Sequence, residues 1–346
     1  MKLLFIRSTK GYSGAERYNA YLIHELRKDV SLDITFLTNS VALARQLQIN
    51  ATSWTPVEVG TKKQLLQMIL YAFIFIPKYL ANIRTYDVTC LESRTEMIFL
   101  TPMLKFIGYK VVWIQHGPLF VSQAAGIIKT LYTLTSRLVD AIIAVSEDTK
   151  QDLVNGGIAE NKITVIYIGV DTKKIEPTPK KSNKFTVGFS GTLTKEKGIM
   201  DFAIATKGFH TLVIGDGLGK TWMQQHVQAK FTGFVNHTDR YLKNVDILLL
   251  PTYHHEGISM AILEAAAMGI PILTTNIGGN REIIKHGYNG FLYKPGDTRG
   301  MSRDIKMFSI NRKKLILMGQ NARQTIVDRF NIKKQAKEYA AFFRSL

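Results

Sequence analysis

Residues 254–275 read HHEGISMAILEAAAMGIPILTT and carry two glutamates, Glu256 and Glu264, eight positions apart. The pattern is that of a loop opening into a helix near Ser259, with Glu264 about a turn and a half inside it. The N–H groups of a helix N-terminus lack intrahelical partners and carry a partial positive charge, which suits phosphate. A carboxylate binds no phosphate, but it accepts hydrogen bonds from sugar or ribose hydroxyls. A phosphate seat flanked by two hydroxyl acceptors suits a nucleotide sugar. Taken alone, the glutamates read equally as incidental charges on an amphipathic surface helix.

The surroundings decide between these readings. Leu263, Ala265, Ala266, Ala267 and Met268 form a small-residue face suited to close packing on a sheet. Gly269-Ile270-Pro271 ends the helix, and Ile272-Leu273-Thr274-Thr275 reads as a buried strand. The glutamates therefore border a strand–loop–helix–strand unit, at the edge where open α/β sheets bind ligands. Other loops share that edge. Ser190-Gly191-Thr192-Leu193-Thr194-Lys195-Glu196-Lys197-Gly198 leaves a strand and enters a helix, and a lysine there can neutralise a diphosphate. Gly215-Asp216-Gly217, Gly233-Phe234-Val235 and Gly278-Gly279-Asn280-Arg281-Glu282 each follow a strand. Nearer the N-terminus, His116-Gly117 follows a strand, where an imidazole can donate to a sugar hydroxyl or sit in a loop with no ligand role. Ser13-Gly14-Ala15-Glu16 opens a helix after the first strand, short of a full G-x-G-x-x-G fingerprint. His254 and His255 adjoin Glu256, but adjacent side chains diverge and no partner set follows, so no metal site is expected.

Positioning these loops requires an alternation of strands and helices. Leu3–Ile6, Ile34–Leu37, Val88–Leu91, Val111–Ile114, Ala141–Val145 and Thr164–Ile166 read as strands, separated by helices at 14–27, 62–83, 98–107 and 147–155. A second set follows: strands at 186–190, 211–214, 229–232, 247–250, 272–274 and 290–293, with helices at 198–206, 219–226, 237–243, 260–268 and 280–286. Short apolar strands alternating with helices imply two α/β domains with mostly parallel sheets. The expected division is 1–170, a polar two-proline linker at 171–184, a second domain at 185–330, and a helix at 331–346 that returns to the first domain.

The chain has 346 residues and a formal net charge of +18, of which residues 171–346 carry +13. Such a surface favours anionic partners. No helix–turn–helix, aromatic stacking platform or zinc signature accompanies the charge, so nucleic acid is not expected as a partner. The single cysteine, Cys90, excludes a disulfide framework and points to a reducing, cytoplasmic setting. The longest near-apolar run, Leu65 to Ile76, is far short of the ~20 residues that span a bilayer. With Lys62, Lys63 and Lys78 it could still rest on an anionic leaflet, or be a core helix.

These residues together resemble the retaining glycosyltransferases of family 4, glycosyl transferases group 1, and the resemblance covers nearly the whole chain. It is carried by Gly191…Lys197-Gly198, Gly215-Asp216-Gly217, Gly233-Phe234-Val235, the Glu256/Glu264 pair, Gly278-Gly279-Asn280-Arg281-Glu282 and Asn289-Gly290-Phe291 in the family's order. Ser13-Gly14-Ala15-Glu16, His116-Gly117 and Ile168-Gly169-Val170-Asp171 resemble its N-terminal loop, first-domain histidine motif and hinge. The resemblance implies the GT-B architecture: two Rossmann-like doubly wound domains facing each other across a cleft, with a C-terminal helix crossing back. It implies that Glu264 holds the donor ribose, Glu256 with Gly257, Ile258 and Ser259 the donor sugar, Val235 the base, Lys197 the diphosphate, and His116 the sugar near the reacting carbon. Gly14 and Thr192 would complete the donor contacts, although Thr192 stands where the family usually has arginine. The implied activity is hexosyl transfer, without metal or cofactor, from a nucleoside-diphosphate sugar, UDP-linked before GDP-linked. The implied acceptor is a saccharide or lipid-linked hydroxyl in bacterial surface-glycan synthesis, at the inner face of the membrane. A sugar-nucleotide epimerase of the same architecture and a non-catalytic glycan- or nucleotide-binding subunit are the alternatives.

Overall fold

The computed structural model describes residues 1–9, 13–51, 86–118, 126–178 and 184–346. The expected helix at 62–83 and its membrane-facing reading lie outside the described residues. The chain forms two compact units, residues 1–167 with 333–346, and residues 168–332.

In the N-terminal unit the strands are β1 (Lys2–Arg7), β2 (Asp33–Thr38), β3 (Val88–Leu91), β4 (Lys110–Gln115), β5 (Ala141–Ala144) and β6 (Ile163–Val165). They form one parallel sheet of order β2-β1-β3-β4-β5-β6. The chain passes from β1 outward to β2 and returns to the other side of β1 as β3, so the β1/β3 boundary is the topological switch point. Helices α1 (Gly14–Leu26), α2 (Val41–Leu47), α3 (Arg94–Phe106), α4 (Gly126–Ser136) and α5 (Glu147–Asn155) connect the strands. Strands covered on both faces read as unbroken apolar runs, as the four buried residues of β5 do. Helix α1 begins with a capping box: the Ser13 hydroxyl accepts from its first turn while Glu16 accepts the Ser13 N–H at 2.7 Å.

Helix α3 starts at Arg94, four residues before the expected 98. Its first turn, Arg94-Thr95-Glu96, is polar and carries no apolar signal, yet Glu96 is buried. Helix α2 has no counterpart among the expected elements; at seven residues it is too short for a clear period.

In the C-terminal unit the strands are β7 (Thr186–Ser190), β8 (His210–Ile214), β9 (Ala229–Phe231), β10 (Ile247–Leu250), β11 (Ile272–Thr275) and β12 (Gly290–Tyr293). Their order, β12-β11-β10-β7-β8-β9, is that of a Rossmann sheet, with its switch point between β7 and β10. The helices are α6 (Ile199–Ala205), α7 (Lys220–His226), α8 (Asp239–Leu242), α9 (Met260–Ala267), α10 (Asn280–Ile283), α11 (Thr298–Ile310) and α12 (Arg312–Arg329). Helix α11 was not among the expected elements. Met301, Ile305 and Phe308 bury one of its faces, and Asp297 accepts the Gly300 N–H at 2.9 Å as its cap. Helix α12 comes close at the end of α9: its Gly319 approaches Gly269, just past that helix, so closely that a Cβ would strike its carbonyl. Arg323 of α12 donates to the Ala267 carbonyl at the end of α9 and to that of Ile175 at 3.1 Å. Ile175 is buried, so this part of the polar 171–184 stretch packs within the C-terminal unit.

Helix α13 (Ile332–Ser345) packs in the N-terminal unit. Its Phe343 meets Phe5 edge-on at 6.0 Å, and Arg344 pairs with Asp29. No helix among the described residues is long and apolar enough to cross a membrane.

Candidate active site

At the C-terminal unit's switch point, the loops after β7 and β10 are tied together by backbone. The first runs through a 3-10 turn at Lys195–Lys197 into Gly198, whose φ is +74°. A Cβ at Gly198 would strike the Pro251 carbonyl, so only glycine permits this approach. The Glu196 carbonyl accepts from the Tyr253 N–H at 2.7 Å and the His254 N–H at 3.1 Å. The loop after β11 adds a third wall. Gly279 donates its N–H to the Glu256 carbonyl at 2.9 Å, and a Cβ there would strike the Gly257 carbonyl. The Thr275 hydroxyl donates to the Thr252 carbonyl at 2.5 Å. On the other side, the Leu193 N–H donates to the Asp216 carbonyl at 2.9 Å, joining the loops after β7 and β8, and the Gly215 N–H to the Gly233 carbonyl at 3.1 Å, joining those after β8 and β9.

Two charged side chains cross this frame. Lys197, from the β7 loop, forms an ion pair with Glu256, from the β10 loop, and each side chain is about four-fifths covered (20% and 19% exposed). Burial lowers the Lys197 ammonium to about 8, while the carboxylate beside it favours the charged form. Burial, followed by the Lys197 charge, also holds His254 below the ordinary histidine value. Gly257, Ile258 and Ser259 are buried and lead into α9. The Ser259 side chain makes no capping bond, so it does not satisfy the first-turn N–H groups of α9. Glu264 is buried inside α9, and its Oε2 accepts the Thr238 hydroxyl at 2.6 Å. Val235 is half-buried and Thr192 exposed on neighbouring loops. The C-terminal unit thus gathers Lys197, Glu256, Gly257, Ile258, Ser259 and Glu264 around one sheet edge.

Gly14 and His116 belong to the N-terminal unit. Gly14 is the first residue of α1. His116 follows β4, and its loop is braced by Gln115, which donates to the Gly117 carbonyl at 2.6 Å and accepts the Tyr132 hydroxyl at 3.0 Å. Its Nε2 lies 2.9 Å from Glu92 Oε2, just past β3. Arg7, at the end of β1, reaches Glu16 at 2.6 Å and Glu92 at 3.3 Å. Burial works against the Glu92 charge, but the bond from His116 and the charge that ring carries when protonated, then the charge of Arg7 and a bond from Asn19, outweigh it and hold the carboxyl below its usual value. Arg7, Asn19, Glu92 and Thr238 were not among the expected site residues. For Arg7 and Glu92 a signal existed: each ends or follows a strand of a parallel sheet, on the ligand-binding edge.

Two parallel six-stranded sheets, the second of Rossmann order, are the arrangement of the GT-B fold. The family described as glycosyl transferases group 1 matches residues 170–325, and glycosyltransferase family 4 matches residues 12–174. The chain belongs to this family of retaining glycosyltransferases. An uncharacterized glycosyltransferase of Methanocaldococcus jannaschii is 26% identical over 73% of this chain and 73% of its own. The UDP-Gal:alpha-D-GlcNAc-diphosphoundecaprenol alpha-1,3-galactosyltransferase of Escherichia coli is 27% identical over 65% of this chain and 66% of its own. Among solved structures, Anabaena Alr3699/HepE in complex with UDP-glucose matches all of both chains with a TM-score of 0.86 at 20% identity, a likeness of fold.

Proposed function

We propose that the protein transfers a sugar from a UDP-sugar to a hydroxyl of a saccharide or lipid-linked acceptor in bacterial surface-glycan synthesis. The observation that carries this reading is the Lys197–Glu256 pair across the C-terminal switch point, beside the α9 N-terminus. Lys197 and the first N–H groups of α9 supply the positive charge a departing diphosphate needs. Glu256 supplies an acceptor for the hydroxyls of the donor sugar, and Glu264, steadied by Thr238, one for the ribose. The main chain at Val235 meets the base, and Gly14 and Thr192 complete the donor contacts. In the N-terminal unit, which takes the acceptor, His116 contacts the donor sugar.

Transfer with retention proceeds by front-side attack. The acceptor oxygen bonds to the anomeric carbon as the bond from that carbon to the diphosphate oxygen breaks. The departing phosphate oxygen takes the acceptor's proton, so no metal or protein base is required. The UDP preference and the lipid-linked acceptor are supported by the name of the E. coli relative, and association with an anionic membrane surface follows from such an acceptor. The test is turnover of a panel of UDP- and GDP-sugars with saccharide and diphospholipid-linked acceptors, with product anomers read by NMR. Retained configuration in a UDP-sugar product is expected. Isomerised sugar in donor-only incubations would replace this reading with an epimerase.

A further inference from the structure

Three side chains converge on one oxygen at the N-terminal switch point. Glu92 Oε2 is met by Arg7 Nη1 at 3.3 Å, by Asn19 Nδ2, and by His116 Nε2 at 2.9 Å. The Glu92 side chain is 1% exposed and His116 14%. With the Arg7 guanidinium and the Asn19 amide both on that oxygen, Glu92 is held as the carboxylate, which only accepts. Guanidinium and side-chain amide nitrogens only donate, so the contacts from Arg7 and Asn19 agree with that charge. The remaining contact is therefore also a donor, and the proton of a neutral His116 ring resides on Nε2.

We propose that Glu92 is a positioning residue for His116, fixing the imidazole as the Nε2–H tautomer and leaving Nδ1 to accept a hydrogen bond from a sugar hydroxyl. The inference rests on the reading of His116 as a donor-sugar contact and reverses the polarity expected of it from sequence, where the ring donates. The ring has little freedom to escape this arrangement. Tyr18 packs edge-on against it at 6.2 Å, and Gln115 pins the turn that carries it. Arg7, at the end of β1, holds Glu92, just past β3, and Glu16 of α1 together, so the carboxylate that orients the histidine is itself oriented. Carboxylates that set an imidazole tautomer act in this way in metal sites and in hydrolase triads.

The test is long-range 1H–15N correlation on full-length protein labelled with 15N-histidine, at a pH well above the ordinary histidine range, with His116→Asn assigning the resonance among the eight histidines. The wild-type ring is expected as the Nε2–H tautomer, with its Nε2 proton downfield. Glu92→Leu should release the ring to a mixture of tautomers. Glu92→Gln, which keeps the size and shape of the side chain, should move that proton upfield and lower kcat about ten- to hundredfold with KM for the donor little changed. An Nδ1–H tautomer in the wild type, or an Nε2 proton unmoved in Glu92→Gln, would overturn the proposal. Full turnover by His116→Asn would instead remove the functional reading beneath it, whatever the tautomer.

Discussion

Each unit bridges its switch point with an ion pair, and the two pairs are built differently. In the N-terminal unit Arg7 and Glu92 sit at the ends of β1 and β3, and Arg7 also holds Glu16. The two carboxylates are buried, Arg7 is 11% exposed, and Arg7 reaches both through its side chain alone. In the C-terminal unit Lys197 and Glu256 lie on loops, keep about a fifth of their surface, and stand on a frame of backbone bonds and glycines. A buried pair with several partners is costly to break and serves to hold geometry. A pair that keeps about a fifth of its surface on a rigid backbone can give up one contact for a ligand at lower cost. The comparison assigns the first pair to positioning and the second to binding.

The largest effect should come from breaking the buried pair. Arg7→Met leaves Glu16 and Glu92 without their shared counter-charge and should cost about 3–5 kcal/mol. Hydrogen exchange in β1 and β3 reads this directly, and near-native protection there would erase the contrast between the pairs. The matching change in the other unit, Lys197→Met, should cost less stability than Arg7→Met, since it strands one carboxylate where Arg7→Met strands two, and lower kcat on the order of a hundred- to a thousandfold. The pH dependence follows from the same lysine. It is charged below about 8 and neutral above, so diphosphate affinity should weaken as pH rises through about 8 in the wild type and stay flat in Lys197→Met. Next in size is the frame itself. Gly279→Ala pushes a methyl into the Gly257 carbonyl, and the displaced loop should lower turnover about a hundredfold while Lys197 and Glu256 remain.

The smallest effect belongs to Glu96, whose carboxyl accepts the Ser8 hydroxyl and which burial raises to about 7. The folded state keeps its proton between the unfolded value and about 7, where the unfolded state has lost it. Stability should therefore be highest below the unfolded value and fall as pH rises through the folded one, by on the order of 2 kcal/mol. Glu96→Gln should flatten that slope in urea titrations between about pH 5 and about pH 8. An unchanged slope would mean that Glu96 is ionised in place.

The same contrast explains what could be read before the fold was known. The C-terminal site is announced by glycines, because Gly198 and Gly279 are places where two backbones touch, and such places leave a residue type in the chain. The strands were equally plain, since β5 and β10 are continuous apolar runs. The N-terminal network leaves only the strand-end positions of Arg7 and Glu92 as a trace, and nothing in the chain says that they meet. Arg7 and Glu92 are 85 positions apart, and only the β1–β3 pairing makes them neighbours. Glu264 was legible as a carboxylate on a helix, but not its bond to Thr238, 26 residues away. Helix α11 was missed because its apolar positions are diluted by Arg299, Arg303, Asp304 and Lys306.

The most direct measurement is calorimetric titration of UDP, GDP and ADP into the wild type and Glu264→Ala. A nucleotide seat in the C-terminal unit predicts saturable binding of UDP that is lost in a folded Glu264→Ala protein. No binding of any of the three to the folded wild type, or equal UDP affinity in both proteins, would contradict it.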